Sequence, residues 1–530
     1  MTPRRALWGL IVVSGLLRLA WAASLGPCND EAYHYLFTVH PDWSYFDHPP
    51  MLALVERIGL ALPPGGVSAF RLRLGFIALF GGSTWLMARL TSRFYGPWAG
   101  WLAALALNAT AYHGVAVGSF ALPDGPLLFF WLWTLDRLAA AFEAPGRLGP
   151  WSGVGLAWGG ALLSKYHAVF LPLGALLYLV LEPAARACLR RPGPYLALTL
   201  GLLVFSPVLA WNAAHGWASF AFQGGRALGA ARFRPEMLAA TVLGQAGYLL
   251  PWIWVPLVIL LFRGGRRLLQ GGVGAADRFL LSQSIGPIAA FTGVACMRPT
   301  LPHWSLVGFL SLFPMLGRRW EARWADRPAR FGRRLALFAA APVAFAALIL
   351  AQTYGGIFQQ GGKGTLGLLR RSSDPTLDFY GWDRVARELG RRGLLDQPHT
   401  FLFASNWYYS GQLAFATRGS ATPVLCYHGW DARSFAFWSR PEDWIGHDGI
   451  LVAINNHTNE PGCYERWFTR IEPIGSFNVR RAGGPVRHVR LFRCVRQVAA
   501  FPFDGSRTVE QIVRFAKGEA PEPKRPGRAR

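Results

Sequence analysis

The sequence predicts an α-helical polytopic membrane protein that ends in a soluble α/β domain, and three observations carry that expectation. The 530 residues are 52% hydrophobic and only 16% charged, with 23 Trp and 36 Phe, which is too apolar for a water-soluble chain of this length. Apolar runs long enough to cross a bilayer recur from the N-terminus to about residue 354. From about residue 360 such runs vanish, and short ones alternate with turn signals.

Taken in order, the membrane-crossing segments fall near 7–25, 68–88, 97–118, 125–142, 194–211, 237–262, 279–297, 301–317 and 335–354. Residues 151–182 are too long for one ordinary span. Ser164-Lys165-Tyr166-His167 interrupts them, which predicts a hairpin of two short helices and brings the total to about eleven. Arginines concentrate in alternate loops, ending with the run from Arg318 to Arg334, so those loops and the N-terminus with Arg4 and Arg5 are expected in the cytoplasm. Ala22-Ala23-Ser24 also resembles a signal-peptide cleavage site, but ten more spans follow. An odd number of crossings places everything after about residue 355 outside the cytoplasm.

The expected organisation is therefore a transmembrane domain over residues 1–355, with its first external loop at 26–66, and an exported α/β domain over 356–515. In the latter, Phe401 to Ala404, Pro423 to Cys426 and Ile450 to Ile454 read as strands, with Trp382 to Arg392 and Asn406 to Ala416 as helices. Residues 516–530, rich in Pro and Arg, read as a disordered basic tail. The net charge of +25 would ordinarily point to nucleic acid. Here the cations are almost all Arg, placed between apolar runs rather than on one polar face, so no nucleic-acid partner is expected. Six cysteines are few for a disulfide scaffold; Cys463 with Cys494 is the preferred pair in the exported domain, and no spacing matches a zinc or iron–sulfur site.

Polar groups gather on one expected membrane face. The first external loop holds Asp30, Glu31, Asp42, Asp47 and Glu56 with His34, His40 and His48, and Asp30-Glu31 emerges where the first span ends. Asp124, in Leu122-Pro123-Asp124-Gly125-Pro126, starts a span; Lys165 is the only lysine before residue 363; and Asn212, His215, Trp217, Gln223 and Arg226 follow the span ending near 211. Taken singly, Asp124 could merely cap a helix and Lys165 could snorkel to the interface. Their convergence on one face favours a functional role.

These residues also carry a resemblance. Asp30-Glu31-Ala32-Tyr33-His34-Tyr35, Trp43-Ser44-Tyr45-Phe46-Asp47-His48-Pro49-Pro50, Pro123-Asp124-Gly125-Pro126, Leu163-Ser164-Lys165-Tyr166, Pro207 and Trp211-Asn212 with His215-Gly216-Trp217 occur in one order over roughly residues 7–317. Together they resemble the bacterial branch of the protein O-mannosyltransferase and aminoarabinose transferase superfamily, multi-span glycosyltransferases of the GT-C fold. The segments Ser405 to Phe415 and Trp444 to Val452 are similar to the exported tail of such proteins. The resemblance implies an undecaprenyl-phosphate-linked sugar donor, inverting transfer and a bacterial inner-membrane location. It also implies that Asp30 is the acidic catalytic residue with Glu31 its companion, and that Asp124 is a second acidic position. Asp47-His48 falls where relatives carry an acid followed by a base. The aminoarabinose enzymes have Lys after that acid and Arg shortly after the first Asp-Glu; here stand His48 and Tyr33, so the donor sugar does not carry over.

The chemistry follows from the residue types. A carboxylate within hydrogen-bond reach can take the proton of an acceptor hydroxyl as the bond to the sugar forms, the role given to Asp30 with Glu31. The departing lipid phosphate gathers negative charge and needs cations, for which Lys165 is favoured and His48 and Arg226 follow. Tyr33, Asn212 and His215 are expected substrate contacts. Asp47 and Asp124, joined by Asp30, are candidate ligands of a divalent metal ion. The acceptor is expected to be lipid A, lipopolysaccharide or another envelope glycan. Three rival readings are a protein O-glycosyltransferase, a polyprenyl-lipid transporter or flippase and a membrane-anchored assembly protein. A transporter should place ionisable residues at the bilayer midplane and often shows inverted repeats, and neither is visible.

Overall fold

The computed structural model describes residues 2–63, 65–228, 233–297, 300–429, 431–455 and 461–502; the side chains of 226–228 lie outside that description, as does the tail expected at 516–530. The chain forms two compact units: Met1–Ala23, His48–Leu209 and Ala231–Ala346 make one, while Ser24–Asp47, Ala210–Ala230 and Ala347–Arg530 make the other. The second unit thus takes in much of the first external loop, together with the residues that follow the span ending near 211.

In the helical unit every apolar segment is helical, but several are broken where the sequence was read as one span. At the first of these breaks the cause is a proline. The segment 237–262 is two helices, Pro235–Leu249 and Pro251–Leu269, bent by 116° at Leu250, because Pro251 lacks an N–H and restricts the residue before it. The segment 97–118 is helix Pro97–Asn108 followed by a π-helical turn, Ala111–Val117. Buried Arg18 attends that turn, donating to the Gly114 carbonyl at 2.8 Å and to Asn108 Oδ1 at 2.9 Å. The segment 301–317 divides into Pro302–Ser305, Leu306–Leu310 and Phe313–Asp326. Residues 151–182 divide into Leu148–Ser164, a short turn Tyr166–Val169 and Phe170–Leu181, with Lys165 extended at the break between the two helices. Among the described residues four helices are long and apolar enough to cross a membrane, or up to six if each bent pair is one span. Eleven crossings therefore do not follow from helix length and hydropathy alone.

The second unit is built on a five-stranded sheet: β1 Thr400–Ala404, β2 Val424–Cys426, β3 Asp448–Ile454, β4 Phe468–Arg481 and β5 Gly484–Gln497, in spatial order β2-β1-β3-β5-β4. β1 runs parallel to β2 and β3, whereas β5 pairs antiparallel with β3 and β4. Helices Trp382–Arg391 and Trp407–Ala416 bury Val385, Leu389 and Leu413 against Leu402, Ile450, Val452 and Leu491. The long β4–β5 hairpin was not expected from the sequence. Its two-residue turn, Ala482-Gly483, has positive φ at both positions (48° and 75°), a type I′ pattern that matches strand twist. The expected Cys463–Cys494 disulfide is absent: both are free, Cys463 exposed before β4 and Cys494 buried on β5.

Candidate functional site

In the sheet unit, helix Asn29–Val39 presents the first acidic pair in two different ways. Asp30 is exposed in the first turn, where the helix dipole favours an anion. Glu31 is fully buried, and its Oε2 accepts from the Cys28 N–H at 3.0 Å, so it secures the helix start rather than standing ready as a second base. Helix Trp407–Ala416 packs directly on this helix. A Cβ at Gly411 would sit 2.8 Å from the Tyr33 Cα, so only glycine admits the approach. The amide nitrogen of Gln412 lies 3.1 Å from the Pro27 carbonyl, 3.1 Å from Asn29 Oδ1 and 3.0 Å from the Asp378 carbonyl. Burial pushes the Asp378 carboxyl up to about 6, against the pull of Arg487 and with a further push from Asp30.

Tyr33, expected as a substrate contact, is buried. Its hydroxyl donates to Asp47 Oδ1 at 3.1 Å and accepts from the Ser434 N–H at 3.0 Å, while its ring packs edge-on to Trp407. Asp47, 1% exposed, also accepts from Arg433 through Oδ2 at 3.0 Å, and its backbone carbonyl accepts from Gln223 at 2.9 Å. Arg433 is a member of the candidate site that the sequence reading missed. Its guanidinium pairs with Asp431 as well, at 3.3 Å, and lies 4.2 Å from the Trp407 ring centroid. The only local signal was Asp431-Ala432-Arg433, which names no partner.

Asp42, Trp211 and His215 form a second group in this unit. Asp42 Oδ2 accepts from the Trp211 indole at 2.7 Å, and the His215 ring stacks on Trp211 at 4.1 Å. Half-buried His215 keeps an accessible edge. Asn212 does not: it is fully buried, and its Oδ1 accepts from the Ser219 N–H at 3.2 Å and so shapes the turn there. The side chain of Arg226 lies outside the described residues.

In the helical unit, Lys165 at the hairpin break donates to both oxygens of Asp124, at 3.0 and 2.9 Å, and both residues are buried. The pair sits among imidazoles. His113 and His303 line a narrow cavity with Asp124, and His167 lies within electrostatic reach of Lys165, Asp124, His303 and His48. Lys165 is thus a tethered cation, positioned by Asp124, with His48 in the same electrostatic neighbourhood.

These pairings revise the metal expectation. Asp124 gives both oxygens to Lys165, and Asp47 divides its two between Tyr33 and Arg433. A hard divalent ion needs several oxygen ligands together, whereas each of these carboxylates faces a cation. Among the described residues no group of three or more His, Cys, Asp or Glu is arranged to hold one.

The fold is that of GT-C membrane proteins. It matches ArnT from Cupriavidus metallidurans in the apo state with a TM-score of 0.61 at 15% identity, over 93% of this chain and 98% of that one. The same protein bound to undecaprenyl phosphate matches with a TM-score of 0.61 over 91% of this chain and 97% of that one, again at 15% identity. Residues 47–211 match the family model for dolichyl-phosphate-mannose-protein mannosyltransferase. A lipid A galacturonosyltransferase, RgtD, from Rhizobium johnstonii is 32% identical over 190 residues, a stretch that covers 35% of this chain and 38% of that protein. The chain therefore shares the fold of ArnT along nearly its whole length, while its sequence likeness to glycosyltransferases covers about a third of it.

Proposed function

We propose that the protein is an inverting glycosyltransferase of the bacterial inner membrane. It moves a sugar from an undecaprenyl-phosphate-linked donor to lipid A or a related envelope glycan on the periplasmic face. The observation that carries this reading is the exposed Asp30 carboxylate, held at a helix start by its buried neighbour Glu31. Asp30 takes the acceptor hydroxyl proton as the oxygen attacks the anomeric carbon; the bond from that carbon to the phosphate oxygen breaks, and polyprenyl phosphate leaves. Lys165, oriented by Asp124, and His48 are assigned to the charge that grows on the phosphate. Undecaprenyl phosphate in the ArnT structure and lipid A in the name of RgtD support the donor and acceptor classes. The family model that matches residues 47–211 favours, as the second reading, a protein acceptor.

Purified protein is to be given a panel of undecaprenyl-phosphate sugars with lipid A and with envelope protein as separate acceptors. Wild type should label lipid A, and Asp30→Asn should lose at least a hundredfold in rate while remaining folded. Label on protein alone would move the assignment to the second reading. Folded wild type that transfers nothing, yet moves lipid phosphate between leaflets, would replace it with a flippase.

A further inference from the structure

One groove of the sheet unit has no part in that chemistry. It is an open groove of about 630 Å³, within the range of small-molecule sites, lined by Gln360, Arg370, Arg371, Asn455, Asn478 and His488, and among the described residues its wall holds no carboxylate and no large apolar side chain. Neither Arg370 nor Arg371 makes an ion pair among the described residues, whereas Arg89, Arg93 and Arg137 of the helical unit share Asp136. The far wall is a hydrogen-bonded array. The His488 N–H donates to Asn455 Oδ1 at 3.1 Å, and His488 Nδ1 lies 3.0 Å from Asn478 Oδ1. That oxygen can only accept, so Nδ1 carries the proton and Nε2 remains for a ligand.

Both walls are pinned to one another beneath the groove. Fully buried Arg481, at the end of β4, pairs with Asp374 and donates to Gln359 Oε1 at 2.8 Å and Thr376 Oγ1 at 3.1 Å. Gln359 returns a bond to the Arg481 carbonyl at 3.1 Å, the Lys363 N–H donates to the Ala482 carbonyl at 2.8 Å, and the Gln360 N–H donates to the Leu369 carbonyl at 3.0 Å. The segment carrying Gln360, Arg370 and Arg371 is thereby fixed against the β4–β5 hairpin carrying Asn478 and His488. The backbone of the site is thus set in advance, while the exposed Arg370 and Arg371 side chains are ordered only by a ligand.

We propose that this groove binds an anionic saccharide. Guanidinium groups take phosphate or carboxylate oxygens in forked pairs, and amides with an imidazole nitrogen match the mixed donors and acceptors of sugar hydroxyls. On the transferase reading, on which this part rests, the ligand is a charged portion of the acceptor glycan, so the groove selects acceptors independently of Asp30.

The test uses full-length protein in detergent and follows binding by calorimetry. The probes are glucose 1-phosphate, glucuronic acid, neutral methyl glucoside and inorganic phosphate. A charged sugar should bind at least tenfold tighter than methyl glucoside and than phosphate alone, and the Arg370→Gln/Arg371→Gln variant should lose at least tenfold with an unchanged unfolding midpoint. The phosphorylated and carboxylated arms identify which anion is preferred. Equal binding of neutral and charged sugars, phosphate binding as well as sugar phosphate, no binding of any probe, or full binding by the double variant would each overturn the proposal. Measured transfer separates the two ideas. If wild type transfers sugar but no probe binds, only the groove assignment fails; if a charged sugar binds but no transfer occurs, the groove stands and its acceptor role falls with the transferase reading.

Discussion

Asp47 owes its burial to Arg433, and the energetics of that pair can be separated from its role in any reaction. A carboxylate with 1% exposure that loses its cation keeps the full cost of desolvation. Arg433→Ala should therefore destabilise the protein by roughly 3 kcal/mol, and adding Asp47→Asn should restore part of the loss because the orphaned charge is gone. Denaturant unfolding of the two single variants and the double variant measures the coupling; strictly additive losses would show that the pair contributes no mutual stabilisation. Asp378 behaves in the opposite sense, since burial raises its carboxyl to about 6. Between about pH 4 and 6 the folded state holds a proton that the unfolded state has released, so this group makes stability fall as pH rises through that window. Asp378→Asn should remove that cost, raising stability at pH 7.5 by on the order of 2 kcal/mol and at pH 4 hardly at all. Unfolding midpoints of wild type and variant at both pH values check the sign, and an equal gain at pH 4 would show that charge burial is not the cause. Asp30, Asp47, Asp124 and Lys165 were legible in the sequence because acids and a lone lysine stand out against an apolar, arginine-rich background. Arg433 was not. It meets Asp47 across 386 residues of chain, and one more arginine in such a composition carries no signal.

At the scale of elements, β1, β2 and β3 announced themselves as short apolar runs between turn residues, and the two helices between them as well-bounded segments. The β4–β5 hairpin did not, although it is the largest piece of the sheet. Its strands place arginines at many positions, Arg470, Arg480 and Arg481 on one and Arg487, Arg490, Arg493 and Arg496 on the other, which blurs the period-two alternation that marks a strand. Along β5 the alternation survives where Arg487, Val489 and Leu491 are buried and the residues between them are not. The turn was no clearer a clue, for Ala482-Gly483 needs positive φ twice and alanine adopts that conformation reluctantly. Asparagine tolerates it better and leads the preferred Asn-Gly type I′ turn. Ala482→Asn should thus stabilise the sheet unit by about 0.5 to 1 kcal/mol, read as a rise in unfolding midpoint with unchanged transfer activity. A fall in the midpoint would mean that the turn is not type I′ in solution. In the helical unit the sequence located the apolar segments and the break at Lys165 but not the other breaks; Pro251, for one, is compatible with either a kinked span or two helices until the bend at Leu250 is seen.

For the molecule as a whole, the number of crossings decides on which side of the membrane the sheet lies. Eleven crossings, as read from the apolar segments and the arginine-rich loops, put it opposite the N-terminus. The four long apolar helices among the described residues, or six with each bent pair as one span, are even numbers and would put it on the same side. Helices too short to cross alone, such as Pro97–Asn108 and Phe170–Leu181, can contribute crossings where neighbouring protein shields their ends, so parity cannot be settled by length. Cys463 offers a direct measurement because it is free and exposed in the sheet unit, whereas Cys188, Cys426 and Cys494 are buried. In right-side-out spheroplasts a membrane-impermeant maleimide should label the protein, and Cys463→Ser should remove most of that label. Labelling at Cys463 from outside requires an odd number of crossings if the N-terminus is cytoplasmic, and it places Asp30, which belongs to the same compact unit, where undecaprenyl-linked sugars and lipid A meet. Labelling only after the membrane is opened would put the unit in the cytoplasm, require an even count, and remove the periplasmic reaction from consideration.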